Sequence, residues 1–440
     1  MGLLAGEVLR SFRLDTFSKA HVIALGDWEG CSVTSWKSAV SLVLVCAAGV
    51  SLLIPQILLV PPRNTEVWIL ETLRGMHGTA VPLLGQEIVK GVNPLALLIL
   101  SLMQTADITV LRLLQAGLGF LLVGTTFLLT LGLFGLASAV TACLLTITSL
   151  GFPAMFGTLN TNALPVLLTT ASFGVFSLAY TGRLARPWFI VSYTLAALAL
   201  VTGSTTTIAF FVLASLLLVM LDLAPTRLFS IHIATGVAII LAALAVYLAT
   251  YRVIMGPGFA WESLCSGGQA GFARGAAGLV QAGIPWIFLL VPAFVQLGGP
   301  SSQESWRSLL PPRIACALAA LMSTFWPGAH DTVAVIFVPF ASILVGEWIS
   351  HGMGKTARAR AYASWMSVAA FAAVFAAFLI VLVRPVFGGE GFTWMRWAWA
   401  GALASFTVIF SALAMRHRIV PQIVVVALSA ACVILAAATT

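Results

Sequence analysis

Residues 61–94, PPRNTEVWILETLRGMHGTAVPLLGQEIVKGVNP, concentrate the groups of this chain that could do chemistry. They include Arg63, Glu66, Glu71, Arg74, His77, Glu87 and Lys90, in a chain only 8% charged. A carboxylate there could take a proton from a hydroxyl, and Arg and Lys could bind phosphate through charge-assisted hydrogen bonds. The segment directly follows an apolar run at 38–60. It must therefore face water or headgroups, because hydrocarbon offers no partners to its backbone and charges. Three further polar clusters interrupt apolar sequence: Thr158 with Asn160, Thr161 and Asn162, the run TGSTTT at 202–207, and PGAHD at 327–331 with His330 and Asp331. All four are expected on one side of a membrane. Loops converging on one face build cavities, although solvated loop ends would have the same composition.

The elements that must position these groups are membrane helices. The 440 residues are 60% hydrophobic with a mean hydropathy of +1.06, whereas soluble domains carry about 25% charged residues. About 20 apolar residues span a bilayer as a helix, which gives about thirteen spans. They fall at 38–60, 110–134, 136–158, 162–181, 187–202, 204–222, 228–250, 282–298, 314–326, 332–349, 363–384, 395–415 and 419–438. The stretch 95–104 is too short to cross and reads as an interfacial or re-entrant helix. The fold class expected is all-α and polytopic. With the N-terminus inside, 14 of the 22 Lys and Arg fall inside and 8 outside, as the positive-inside rule requires. That orientation puts the C-terminus and residues 61–109 outside. The net charge of +8 then reflects topology and contact with anionic lipid, with no nucleic-acid signal.

Other motifs contribute little. Gly354-Lys355-Thr356 lacks the upstream glycine of a phosphate loop, since position 349 is Ile. The glycines of 267–278 follow no strand and suit close helix packing or a flexible loop. No two of the six cysteines share a loop, and no C-x-x-C occurs, so packing explains them. There is no H-E-x-x-H and no D-x-D pair. Neither a metal nor a cofactor is expected.

In order along the chain stand TEVWILETLRGM (65–76), PLLGQEIVKGVNPL (82–95), TADITVLRL (105–113), TLNTNALPVLLTTASFGVFSLA (158–179), ALALVTGSTTTIAFFVLASLLLV (197–219) and FWPGAHDTVAVIFVPFASILVG (325–346). This series resembles the polytopic GT-C glycosyltransferases, especially the aminoarabinose lipid A transferases and protein O-mannosyltransferases. Glu66, Glu71, Met76, Pro82, Gly85, Pro94, Leu95, Arg112 and Leu113 fall in step with the family's motifs. The resemblance implies a GT-C-like domain over 38–350, preceded by a cytoplasmic segment 1–37 and followed by a three-helix membrane segment 351–440. It also implies an integral protein of the bacterial inner membrane that moves a sugar from a polyprenyl phosphate to a lipid, glycan or protein acceptor at the outer face.

Departures from the family pattern fall on its acids. Thr65 and Asn162 stand where the family has its acidic pair, Lys90 is displaced, and the lysine expected near Thr202 and Gly203 is missing. Thr and Asn hydrogen-bond but do not accept a proton near neutral pH. By resemblance, Glu66 is the catalytic candidate, and Arg63, Thr65, Glu71, Arg74, Lys90, Asn162, His330 and Asp331 are the substrate-binding set. Glu71 and Arg74 also have the i,i+3 spacing of an ion pair on a juxtamembrane helix. The alternatives are a catalytically silent relative that binds lipid or scaffolds a membrane-protein complex, and a transporter or flippase.

Overall fold

A computed structural model describes residues 32–59, 66, 67, 69, 107–203, 205–222, 231–255, 272–295, 303–326, 330–352, 356–387, 394–415 and 419–439. Residues Met1–Ala47 and Ala48–Thr440 form two compact units. Of the first, only 32–47 are described, as helix; the second contains every site discussed below.

The described residues hold no strand. In chain order the helices are α1 (Ser32–Leu59), α2 (Ile108–Phe134), α3 (Leu136–Thr148), α4 (Gly151–Phe156), α5 (Ala163–Tyr180), α6 (Trp188–Thr202), α7 (Thr205–Leu221), α8 (Ile231–Met255), α9 (Phe272–Gly283), α10 (Ile287–Val295), α11 (Gln303–Phe325), α12 (His330–Glu347), α13 (Ala357–Phe387), α14 (Trp394–Met415) and α15 (Ile419–Thr439). A π-helical turn, Trp348–Gly352, extends α12. Among the described residues, six helices are long and apolar enough to cross a membrane, or seven if the bent pair formed by α9 and α10 counts as one span. Each of the thirteen apolar stretches named above overlaps at least one described helix.

Burial separates the helices into two kinds. α12 is apolar all round, and Val333, Ile336, Phe340 and Leu344 are each at most 1% exposed. A helix without a polar face has to be wrapped by others, and α12 packs against α3, α9 and α11. By contrast, α8 leaves Ile231, Val237, Leu241 and Val246 exposed. Such a face suits lipid or another apolar partner better than water. Between these extremes, an aromatic cluster clamps α5, α6 and α7. Phe176 meets Phe211 and Tyr193 edge-on, at centroid separations of 5.9 and 6.2 Å.

Two of the expected spans are broken. The run at 136–158 divides at residues 149–150 into α3 and α4. The run at 282–298 is no straight span, because the chain bends by 90° between α9 and α10. The breaks satisfy each other's freed polar groups: Leu150 N–H donates to the Ile284 carbonyl (3.0 Å), and Trp286 Nε1–H donates to Thr148 Oγ1 (3.0 Å). Irregular backbone is tolerated in an apolar setting only when paired this way. A third difference concerns 314–326, where the helix starts earlier, at Gln303. The stretch 95–104 lies outside the described residues.

Candidate functional site

The site is organised around a buried ion pair. Asp107 caps α2 by accepting a hydrogen bond from Thr109 N–H (2.8 Å), which fixes where that helix begins and so where Arg112 lies one turn later. Arg112 grips Glu66 in a fork, with Nε on Oε1 at 2.9 Å and Nη2 on Oε2 at 2.7 Å. Its Nη1 donates to the Ile57 carbonyl at 3.2 Å. The Leu159 N–H donates to Glu66 Oε1 at 2.6 Å. Glu66 has no exposed surface, and Arg112 is 2% exposed. Two ions can be buried together when a bidentate pair and further hydrogen bonds satisfy their remaining groups. The cluster ties the end of α1, residue 66, α2 and the 157–162 turn into one unit.

That turn is held from both sides. Asn160 Oδ1 accepts from Asn162 N–H (2.9 Å), a local Asx turn that competes with helix and so separates α4 from α5. Gln115, one turn beyond Arg112, donates to the Asn160 carbonyl. Under the turn lies a cavity of about 280 Å³. It is lined by Asn160, Met155 and Gly151 on one side, Gln281 and Gly278 of α9, and Ala334 and Val335 of α12. The two helix breaks therefore border the same space. At Gly203 the backbone comes so close to α5 that an added Cβ would stand 2.7 Å from both the Pro165 Cβ and the Ala199 carbonyl oxygen. Only glycine fits there without displacement, and Gly203 lies beside the start of α5.

Described residues of three of the four polar clusters come to one end of the helices: Glu66 on Leu159, Asn160 at the cavity and Gly203 on Pro165. Of the residues singled out in the sequence, Arg63, Thr65, Glu71, Arg74 and Lys90 lie outside the described residues. His330 and Asp331 form the first turn of α12, immediately before the wall residues Ala334 and Val335. Asn162 occupies the N-cap position of α5, but its side chain makes no capping bond. Glu66 is not the water-facing loop carboxylate that the polar segment suggested; both its oxygens accept N–H groups in the interior. Gln115, Gln281 and the pairing role of Arg112 were not singled out. Arg112 had a signal: a lone cation in an otherwise uncharged helix of 27 residues requires a buried partner.

No protein-family model and no curated protein matches the sequence. Two solved structures of ArnT from Cupriavidus metallidurans are similar. With ArnT bound to undecaprenyl phosphate the TM-score is 0.62 at 15% identity, and with the apo state it is 0.63 at 14% identity. Both alignments cover 93% of this chain and 77% of ArnT. At such identities the likeness is one of fold: the chain is a polytopic, all-α integral membrane protein with the GT-C-like architecture of the aminoarabinose lipid A transferases.

Proposed function

We propose that the chain is a membrane glycosyltransferase that takes a polyprenyl-phosphate-linked sugar at the Asn160 cavity and passes the sugar to an acceptor hydroxyl at the outer face of a bacterial inner membrane. The observation that supports this reading is the cavity itself, which is open on one side and is lined by Asn160 of one polar cluster and by the second turn of α12. Neutral amides from Asn160 and Gln281 border it, and amides offer the paired donors and acceptors that sugar hydroxyls need. The resemblance to ArnT, one of whose structures holds undecaprenyl phosphate, supports a lipid-phosphate donor. In the reaction, the acceptor O–H gives its proton to a carboxylate while its oxygen bonds to the anomeric carbon. The bond from that carbon to the phosphate oxygen breaks, and polyprenyl phosphate leaves with the negative charge. Arg63, Arg74 and Lys90 are assigned to that charge, as a phosphate requires cations. Glu66, held by three N–H groups, anchors the segment that bears them, and Asp331, at the start of α12, is the carboxylate given the proton.

A second reading, a silent relative that binds the lipid without transfer, is favoured by one observation. Thr65 and Asn162 have no titratable group, and Glu66 is already engaged. Two measurements separate the readings. Undecaprenyl phosphate should raise the unfolding temperature of the purified chain by mass action, and Lys90→Ala should weaken that effect. Asp331→Asn, in a deletion strain scored by its envelope glycans, should cut transfer by about 10²–10⁴-fold, the usual size of a general-base effect, with protein level unchanged. Stabilisation by the lipid together with normal glycans in Asp331→Asn establishes the silent reading. Absence of any stabilisation removes both.

A further inference from the structure

At the far end of α5, about 27 Å away at 1.5 Å per residue, a second cavity of about 280 Å³ is lined by Tyr180, Arg183, Asp222, Arg307, Ser308 and two leucines. We infer that this cavity binds a phosphate ester, and that its source is the headgroup of an anionic phospholipid. It is independent of the sugar-transfer reading and uses none of its residues.

Local sequence builds the cavity. Helix α5 ends in a Schellman turn, with Gly182 N–H on the Ala179 carbonyl (3.2 Å) and Arg183 N–H on the Leu178 carbonyl (2.9 Å). Gly182 takes φ of +79°, the left-handed conformation that such a turn needs and that glycine adopts freely. The turn sets Arg183 at the cavity. Across it, Asp222 follows the end of α7 and uses both carboxylate oxygens on the protein: Tyr180 Oη–H donates to Oδ2 at 3.0 Å, and Arg307 Nε contacts Oδ1 at 3.3 Å. Asp222 is only 9% exposed, whereas Arg307 is 52% exposed. The aspartate thus engages Arg307 through Nε, while about half of the arginine side chain stays exposed. Among the described lining residues, two guanidinium groups accompany one carboxylate.

Charge, shape and depth point to the same ligand. Arginine forks match phosphate oxygens, and the Ser308 hydroxyl adds a neutral donor. Leu218 and Leu310 give an apolar wall beside which acyl chains can run. Trp188 and Trp306 are 44% and 46% exposed, and the Arg313 guanidinium stacks 4.7 Å from the Trp306 ring centroid. Half-exposed tryptophans mark headgroup depth, so the cavity opens where phosphodiesters are densest.

The test uses the full chain in a neutral detergent, with unfolding followed by temperature. Short-chain phosphatidylglycerol should raise the midpoint, while the matching diacylglycerol, which lacks the phosphate, should not. Arg183 is exposed and is not part of the Tyr180 or Arg307 contacts of Asp222; Arg183→Gln should weaken the apparent affinity about tenfold, as losing one charge-assisted contact does. Arg307→Gln should weaken it further; if that variant does not fold, the single Arg183 variant decides. Inorganic phosphate that stabilises equally, with the same Arg183 dependence, would confirm the phosphate chemistry and move its source to a soluble ester. Phosphatidylglycerol that stabilises wild type and Arg183→Gln alike, or fails to stabilise either, overturns the proposal.

Discussion

The Glu66–Arg112 and Asp222–Arg307 pairs stand near opposite ends of α5, and they differ in almost every respect that sets the strength of an ion pair. The first is bidentate, within 2% of complete burial on both sides, and reinforced by two backbone groups. The second is a single contact at 3.3 Å between an arginine 52% exposed and an aspartate 9% exposed. Water already solvates much of Arg307, so its pairing contributes little. Arg112 has no such alternative and must keep its partner. The contrast separates an end built to hold the chain in place from an end left open to an incoming anion.

The largest effect should come from breaking the closed pair. Arg112→Ala leaves the Glu66 carboxylate buried without a counter-ion, which costs about 3–5 kcal/mol; thermal unfolding in detergent should show the loss. The double change Glu66→Met with Arg112→Met should recover most of it, because two apolar groups remove both desolvation costs. Failure of the double variant to recover would mean that the pair positions the loop in a way packing cannot replace. Next in size is Gly203→Ala, whose methyl would meet Pro165 and the Ala199 carbonyl. Overpacking of that kind costs about 1–3 kcal/mol, read as a lower unfolding midpoint. The smallest effect should follow Asp222→Asn, which keeps the shape and removes the charge. For a pair this exposed the change in stability should stay within about 1 kcal/mol. A loss as large as that of Arg112→Ala would erase the distinction between the two ends.

Lipid binding sharpens the same comparison. Undecaprenyl phosphate should protect in a way that depends on Lys90 and not on Arg183, and short-chain phosphatidylglycerol the reverse. Crossed dependence would show that the two ends are not separate sites.

Residues such as Ile336 and Leu344 made the helices legible, because a chain this apolar has only one way to satisfy its backbone across hydrocarbon. The approach of residues 66, 160 and 203 to one end of the helices was legible too, since each lies where polar sequence interrupts an apolar run. Glu66 was misjudged in its surroundings. Its neighbours in sequence are polar, but its neighbours in space are Ile57, Arg112 and Leu159, and sequence proximity says nothing about contacts 46 and 93 residues away. The bend between α9 and α10 was hidden for a related reason: an apolar run has the same composition whether it crosses straight or turns.

Sequence by itself determined the solvent of this protein, the helical class and the order of motifs that resembles the GT-C transferases, because hydropathy and motif order are properties of the linear chain. Tertiary structure alone decided which polar groups pair, that two broken helices satisfy each other beside a cavity, and that Arg112 closes on Glu66 while Arg307 stays half open. Those outcomes depend on where separate helices pack, and burial, which sets the strength of each pair, exists only once they have packed.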